Sequence, residues 1–206
     1  MEKKANYGAT GSHDRQFSKN KREAGAPGGV KVTYQDILAL GETNRRIELF
    51  DGECIMPAMP TSQHQYIATR LAVYIFNYVE GRGLGKTFGS PVDVYVSETT
   101  VLQPDLSYLS NERLFIDDGN KLNGAPDLVI EILSQATEQR DRTFKFREYT
   151  RSGAKEYWLV SPDKKEIEVY QNSEKGFELA ALYRRSDTLN TPLFGDIQLK
   201  VGLIFE

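Results

Sequence analysis

An acidic residue stands in the middle of the most apolar run of the chain, Asp127-Leu-Val-Ile-Glu-Ile-Leu133. This run predicts a strand that is buried on both faces, with Glu131 at its centre. A buried carboxylate without a partner is costly, so Glu131 must be paired with a cation, protonated or bound to a metal ion. Glu131 is therefore the first candidate for chemistry, and the alternative is a buried ion pair with a purely structural role.

Two Pro-Asp dipeptides could supply a second carboxylate, Pro104-Asp105 and Pro126-Asp127. Asp127 lies on the same strand and face as Glu131, but at ~3.3 Å per residue the two are about 13 Å apart, too far for one metal ion. Asp105 belongs to another predicted strand, and it can lie beside Glu131 if the two strands are neighbours. We therefore favour Asp105 and interpret Asp127 as the polar start of the buried strand.

The predicted helix after Glu131 carries Asp141, Lys145 and Tyr149 at intervals of four residues, which places them along one helix face. Taken alone, Lys145 is typical of a solvated helix surface. It becomes a candidate for chemistry only if this face packs over the strand that carries Glu131.

The remaining candidates are weaker when taken singly. Glu48 alternates with apolar neighbours, as an exposed strand residue also would, and His64 lies at the start of a predicted helix, where a surface or capping histidine is usual. The other histidine is His13, and Cys54 is the single cysteine, so the usual zinc sites and an internal disulfide are excluded. We interpret Cys54 as a packing residue.

Several common catalytic motifs are missing from the sequence. The phosphate-binding P-loop, the dinucleotide-binding glycine pattern and the serine nucleophile elbow do not occur. What remains is an acidic cluster with a lysine, which suits a hard cation such as Mg²⁺ with oxygen ligands and a phosphate group of a substrate.

The elements that must position these residues follow from hydrophobic periodicity and turn signals. A tight turn at Asp51-Gly52 predicts a hairpin, and Ser62 is the predicted cap of the longest helix. Their order predicts an α/β (α+β) chain with a central mixed β-sheet flanked by helices. The predicted helices are 34–40, 63–80 and 138–151, and the predicted strands are 46–50, 53–59, 87–96, 101–109, 127–133, 156–160, 165–171 and 177–183.

The polar loop 97–100 predicts a strand pairing across it. If Val96 pairs with Val101, then Gln103 and Asp105 share one side of the sheet and Asp93 lies on the other. Asp93 is then expected outside the candidate site.

Composition narrows the class of protein. Of 206 residues, 26 are Lys or Arg and 29 are Asp or Glu, with 39% hydrophobic residues, so we expect a soluble globular protein without a membrane-spanning segment. Residues 1–29 hold six basic and three acidic side chains and lack apolar periodicity, which predicts a flexible basic tail. The remainder, 30–206, then has a net charge of −6 against −3 for the whole chain, and we expect it to form one domain. The start of the chain lacks the apolar run of a secretory signal, which favours a cytoplasmic location.

The segments from about residue 33 to 170 resemble the Uma-type restriction endonuclease family of the PD-(D/E)XK nuclease superfamily. Each match is weak singly, but their order and spacing are specific. The matching segments are Tyr34-Gln-Asp-Ile-Leu-Ala-Leu40, Arg46-Ile-Glu-Leu-Phe-Asp-Gly-Glu53, Pro91-Val-Asp-Val94, Gln103-Pro-Asp-Leu106, Ala125-Pro-Asp-Leu-Val-Ile-Glu-Ile-Leu-Ser134, Arg140-Asp141 with Lys145 and Tyr149, and Glu156-Tyr-Trp-Leu-Val160.

The resemblance implies roles for individual residues. Asp105 matches the aspartate of the PD motif, Glu131 matches the acidic residue of the (D/E)XK motif, and Glu48 is implied as a further acidic ligand. Leu133 stands where the superfamily pattern has a lysine. In this family the lysine is placed on the following helix, and Lys145 is the match.

The resemblance also implies a fold and an activity. The fold is restriction-endonuclease-like, with additional hairpins near both ends of the domain, and the activity is hydrolysis of DNA phosphodiester bonds with Mg²⁺ or Mn²⁺, by a homodimer. A catalytically inactive nuclease fold that binds nucleic acid or protein is the alternative. The implied metal ligands are Asp105, Glu131 and Glu48, and Lys145 is the implied catalytic residue that supplies a fixed positive charge. The residues expected to support the site or contact substrate are Gln103, Tyr149 and His64.

Overall fold

The computed structural model describes residues 30–41 and 46–206. The flexible basic tail predicted for residues 1–29 lies outside the described residues. No helix within the described part of the chain combines the length and the apolar character needed to cross a membrane.

The first two helices begin at side-chain caps, whereas the predicted helix 138–151 is divided by a π-helical turn. Helix α1 opens with a capping box, in which Thr33 and Asp36 satisfy each other's backbone N–H groups. Helix α2 is capped by Thr61 rather than by the predicted Ser62, and it ends at Gly83, whose φ of 61° suits glycine. The helices are α1 (Tyr34–Leu38), α2 (Ser62–Arg82), α3 (Glu138–Arg140) and α4 (Phe146–Arg151), and a π-helical turn, Asp141–Lys145, joins α3 to α4.

The longest strands, β9 to β11, follow the last α-helix, and the strands before and after them are shorter. The first two flank the turn at Asp51 and Gly52, both of which have positive φ, as the sequence predicts for a tight hairpin. The strands are β1 (Glu48–Phe50), β2 (Glu53–Ile55), β3 (Gly85–Gly89), β4 (Val94–Ser97), β5 (Thr100–Leu102), β6 (Leu106–Ser110), β7 (Leu122–Asn123), β8 (Leu128–Ile132), β9 (Glu156–Ser161), β10 (Glu166–Ser173), β11 (Gly176–Arg184), β12 (Thr188–Leu189) and β13 (Leu199–Lys200).

The main sheet has six strands in the order β11-β10-β9-β8-β6-β3. Strands β8 and β9 run parallel, joined by the α3 to α4 crossover, and the other neighbours are antiparallel. The predicted mixed sheet flanked by helices is therefore confirmed, and β8 lies inside it, between β6 and β9.

A second sheet has five strands in the order β2-β1-β5-β4-β7. The predicted strands 87–96 and 101–109 are each divided between the two sheets, with Pro91 and Pro104 in the segments that cross over. Proline lacks the N–H that a central strand needs, which explains why neither strand continues through it. The predicted pairing of Val96 with Val101 is wrong, because Tyr95 pairs with Val101 after an irregularity in the strand.

Two apolar clusters cover the two faces of the main sheet. On one face, Ile67, Leu71 and Ile75 of α2 pack with residues that include Ile130 of β8. On the other face, Tyr149 of α4 packs with residues that include Val129. Because side chains alternate along a strand, Glu131 points to the same face as Val129 and therefore toward the π-helical turn and α4.

Candidate active site

Strand pairing brings Asp105 beside Glu131. Strands β6 and β8 are antiparallel and pair Leu106 with Ile130, so residue 105 follows in register opposite residue 131. The Asp105 Oδ2 atom accepts a hydrogen bond of 2.9 Å from the Ile132 backbone N–H. The side chains of Asp105 and Glu131 are buried, at 8% and 2% exposure.

Asp127 lies at the other end of the same strand and has different partners. Its Oδ2 atom accepts from the Ser110 backbone N–H at 2.8 Å, and its Oδ1 atom lies 2.8 Å from Lys155 Nζ and 3.5 Å from an Arg113 nitrogen. Its backbone carbonyl accepts from the N–H groups of residues 155 and 156. Asp127 thus anchors the start of β8, and the structure places it away from Glu131.

Glu48 enters the site from the second sheet. It lies on β1, is 3% exposed, and its Oε1 atom accepts from the Gln103 backbone N–H at 2.8 Å. The same oxygen lies 3.0 Å from Lys145 Nζ. The site therefore draws carboxylates from both sheets.

The Lys145 ammonium lies among three carboxylates. Its Nζ atom is 3.0 Å from Oε1 of Glu48, 3.0 Å from Oε1 of Glu131 and 3.6 Å from Oδ1 of Asp141. The lysine is 4% exposed, so it is a buried side chain and not part of a solvated helix surface. The π-helical turn spans Asp141 to Lys145, and such turns are frequent at functional sites.

Burial and charge oppose each other in this cluster. Burial raises the pKa of Glu131 well above its ordinary value, and the Lys145 ammonium only partly offsets that effect. Burial also raises the pKa of Asp141. Burial alone would lower the pKa of Lys145, but the carboxylates around it outweigh burial and raise that pKa well above its ordinary value. The ammonium therefore stays charged at neutral pH.

Two basic side chains contact Asp105. His64 Nε2 lies 3.1 Å from Oδ2, and an Arg46 nitrogen lies 3.3 Å from Oδ1. Burial alone would raise the pKa of Asp105, but the hydrogen bond and charge of His64, together with the Ile132 N–H, hold it below its ordinary value. Asp105 is therefore ionised, whereas burial favours the protonated form of Glu131.

Gln103 and Tyr149 each form hydrogen bonds with acidic residues. The Gln103 side chain accepts from Arg46 at 3.4 Å and donates to Asp93 Oδ1 at 2.7 Å, while its backbone N–H binds Glu48. Asp93, which was expected outside the site, thus lies one hydrogen bond beyond Gln103. Tyr149 is fully buried, and its hydroxyl donates to Glu131 Oε1 at a long 3.4 Å.

The structure adds two residues to those that sequence reasoning selected. Arg46 precedes Glu48 by two residues, so its position on the same side of the strand was a signal that could have found it. Asp141 was placed on the same helix face as Lys145 but was not selected for the site. It is 1% exposed, and nothing in the described residues donates a hydrogen bond to its Oδ1 atom.

The side chains surround a cleft of about 360 Å³ between the two sheets and the π-helical turn. Among the described residues, four buried carboxylates and two permanently charged cations line it, so the buried carboxylates exceed these cations by two when all are ionised; the exposed Asp163 lines it as well. The carboxylates are Glu48, Asp105, Glu131 and Asp141, and the cations are Arg46 and Lys145.

The donor set fits a hard divalent cation in its chemistry. Carboxylate oxygens are the ligands that Mg²⁺ and Mn²⁺ prefer, and an excess of buried negative charge favours cation uptake. Within the described part of the chain, however, three or more of these groups do not converge closely enough to form a ready-made metal cluster. The Lys145 ammonium instead lies between Glu48 and Glu131, so cation binding would require side-chain movement.

Comparison with known proteins gives consistent matches over the same residues. Residues 33–202 match the family Uma2, described as "Putative restriction endonuclease". A protein of Synechocystis sp., "Uncharacterized protein slr1290", is 29% identical over 178 residues, which cover 85% of this chain and 92% of that protein.

A solved structure also matches. The crystal structure of "a putative nuclease belonging to DUF820" from Anabaena variabilis superposes with a TM-score of 0.70 at 22% identity, and the match covers 84% of this chain and 97% of that one. At this identity the likeness establishes the shared fold.

Proposed function

Because the chain belongs to the Uma2 family, described as "Putative restriction endonuclease", and has a restriction-endonuclease-like fold, we propose that it is an endonuclease that hydrolyses DNA phosphodiester bonds with Mg²⁺ or Mn²⁺. The observation that carries the proposal is the cleft in which Asp105, Glu131 and Lys145 meet, although they come from separate segments of the chain. The excess of buried negative charge in that cleft supports a cation-dependent reaction.

In the proposed reaction, Asp105, Glu131 and Glu48 hold the cation. When bound, the cation would polarise the phosphoryl oxygen and make a water molecule easier to deprotonate. Asp105 needs no deprotonation to bind a cation, because His64 and the Ile132 N–H hold its pKa below its ordinary value and keep it ionised. Glu131 would bind the cation as a carboxylate, a form that its burial opposes and a nearby cation favours.

Lys145 supplies a fixed positive charge beside the reacting phosphate. Its ammonium is buried and charged, so it can donate hydrogen bonds where negative charge develops, and such donors are effective in a site that excludes water. Arg46 and His64, on the other side of Asp105, are placed to contact a phosphate oxygen. Tyr149 supports Glu131 through its hydroxyl.

In the proposed function, electrostatic attraction between the cleft and the phosphates of DNA depends on the bound cation. Arg46, His64 and Lys145, which line the cleft, are each paired with a carboxylate, so they contribute little unpaired positive charge toward a polyanion. Neutralisation of phosphates is the general source of affinity for DNA. A divalent cation in the cleft would supply that neutralisation at the scissile group.

The proposal predicts cleavage that requires the cation and depends on Glu48. Wild-type protein is expected to nick supercoiled plasmid DNA with Mg²⁺ or Mn²⁺ and to be inactive with EDTA. Glu48→Gln is expected to lower the rate by about 10- to 100-fold, because the variant removes the charge of one of the three carboxylates proposed to hold the cation. The measurement is the rate of conversion of supercoiled to nicked plasmid.

Glu53→Gln is the matched control for this variant. Glu53 lies on the other strand of the same hairpin, where it is exposed, so its substitution should leave the rate unchanged. Equal rates for both variants and wild type would remove Glu48 from the site. Equal activity in EDTA would remove the cation from the reaction.

A second candidate function is a nuclease fold that binds DNA or protein without cleaving it. The observation in its favour is that the Lys145 ammonium lies between Glu48 and Glu131, where the proposed cation would bind. Isothermal titration calorimetry separates the two functions. Measurable binding of DNA without binding of Mg²⁺ or Mn²⁺ would select this second function over the endonuclease.

A further inference from the structure

Asp141 has no role in the reaction described above, although it is among the most deeply buried carboxylates of the cleft. It is 1% exposed, and its Oδ1 atom receives no hydrogen bond from the described residues. A buried carboxylate oxygen without a donor is costly, so its retention beside the site calls for a partner in some other state of the protein.

The nearest cation to that oxygen is the Lys145 ammonium, 3.6 Å away. That distance is too long for a hydrogen bond, whereas the same ammonium lies 3.0 Å from both Glu48 and Glu131. In this structure, Lys145 therefore pairs with the two residues that the proposed function assigns to the cation, and the Oδ1 atom of Asp141 receives no hydrogen bond from the described residues.

We propose that Asp141 is a positioning residue that accepts the Lys145 ammonium when a divalent cation binds Glu48 and Glu131. This inference rests on the proposed function. A cation that binds those two carboxylates must displace the ammonium, and two like charges repel each other strongly in a buried site. Asp141 offers a vacant acceptor within a small movement of the lysine side chain, so the ammonium stays beside the reacting phosphate instead of leaving the cleft.

The π-helical turn is the local structure that makes this transfer possible. It begins at Asp141 and ends at Lys145, so the acceptor and the ammonium lie at its two ends, and both side chains line the same cleft. The backbone carbonyl of Asp141 accepts from the buried Tyr157 hydroxyl at 3.0 Å, which holds this end of the turn against the sheet. The acceptor is thus fixed, while the lysine has a flexible side chain that can move.

The first test is the affinity for Mn²⁺, measured by calorimetry without DNA. Asp141→Asn keeps the shape of the side chain and removes the charge that receives the ammonium. Lys145 then continues to compete for Glu48 and Glu131, and we expect the dissociation constant for Mn²⁺ to rise about 10-fold, the size typical of residues that support metal ligands.

Glu138→Gln is the matched control. Glu138 lies one turn earlier on the same helical segment, pairs with Arg142 at 2.8 Å, and is 46% exposed, so the variant removes the same charge outside the cleft. Its dissociation constant should equal that of wild type. Equal constants for Asp141→Asn and wild type would overturn the inference and leave the proposed function standing, whereas absence of Mn²⁺ binding by wild type would overturn both.

The second test is a crystal of the wild-type protein soaked in Mn²⁺, because loss of a nearby charge could weaken binding without any transfer of the ammonium. We expect an anomalous peak on Glu131 and a Lys145 Nζ atom within hydrogen-bonding distance of Asp141 Oδ1. A peak coordinated by Asp141 itself would make that residue a metal ligand and overturn its role as the acceptor. A lysine that remains on Glu131 beside the bound Mn²⁺ would overturn it as well.

Discussion

Lys145→Met is expected to slow cleavage strongly and to destabilise the cation-free protein, whereas Glu131→Gln is expected to slow cleavage strongly and leave the fold as stable as before. The two side chains lie 3.0 Å apart and carry charges of opposite sign, in a cluster where carboxylates outnumber cations. Loss of the lysine leaves Glu48, Glu131 and Asp141 without their shared cation. Loss of the Glu131 charge reduces the excess of negative charge.

The expected sizes follow from burial. Breaking a buried ion pair by removing one partner costs about 3 kcal/mol or more, so Lys145→Met should lower the free energy of unfolding by roughly 3 kcal/mol. The pKa of Glu131 is already raised, so protonation can relieve part of the loss. Either variant should reduce the cleavage rate by about 10²- to 10³-fold, as for removal of one group that stabilises the transition state.

Chemical denaturation in EDTA and plasmid cleavage in Mg²⁺ measure the two effects separately. Lys164→Met is the control, because Lys164 is 62% exposed and faces Glu166 at 3.7 Å; the change in stability should stay within about 0.5 kcal/mol and the activity should be unchanged. A Lys145→Met variant as stable and as active as wild type would show that the lysine has neither role.

The two Pro-Asp dipeptides are expected to respond in opposite ways to the same substitution. Asp127→Asn should lower the free energy of unfolding by about 2 kcal/mol, because hydrogen bonds to a charged group are lost where Asp127 is fully buried. Cleavage at temperatures where the variant is folded should be unchanged. Asp105→Asn should lower cleavage by at least about 100-fold and alter stability less, because the amide oxygen can still accept from the Ile132 N–H.

The pH dependence of stability provides a check on Asp127. Burial alone would raise its pKa, but hydrogen bonds from Lys155 and the Ser110 N–H outweigh burial and hold the pKa below its ordinary 3.8. A carboxyl group with a lowered pKa stabilises the fold above its unfolded pKa, and that stabilisation is lost as the pH falls through the folded value. The difference in unfolding free energy between wild type and Asp127→Asn should therefore shrink below about pH 3.8. A difference that stays constant at acid pH would contradict the assigned ion pair.

Much of the fold could be predicted because the local sequence signals match the elements that form. The buried strand, the hairpin at Asp51-Gly52 and the long helix follow from apolar runs, turn residues and helical periodicity. The division of strands 87–96 and 101–109 between two sheets could not be predicted in the same way. Alternation along a strand shows which faces are buried, but it does not show where the chain leaves one sheet for another.

Some residues of the candidate site could be selected from the sequence alone and others could not, for a related reason. Asp105 could be preferred over Asp127 because a distance along one strand can be calculated from the sequence. Glu48 and Lys145 could be selected only through the family resemblance, because their approach to Glu131 depends on how the second sheet and the helical crossover pack. The paired state of Lys145, and the vacant oxygen of Asp141, depend on side-chain geometry that sequence patterns do not record.

The placement of Glu48 on one sheet and Glu131 on the other means that the two walls of the cleft belong to different sheets. Damage to the small hairpin, for example at Gly52, where an added Cβ would meet the Lys31 side chain at 2.5 Å, would move one wall and spare the other. Such a protein would keep Asp105 beside Glu131 while losing the opposing carboxylate. Variation in that hairpin would therefore alter how tightly the cleft binds the proposed cation without any change to the residues of β8.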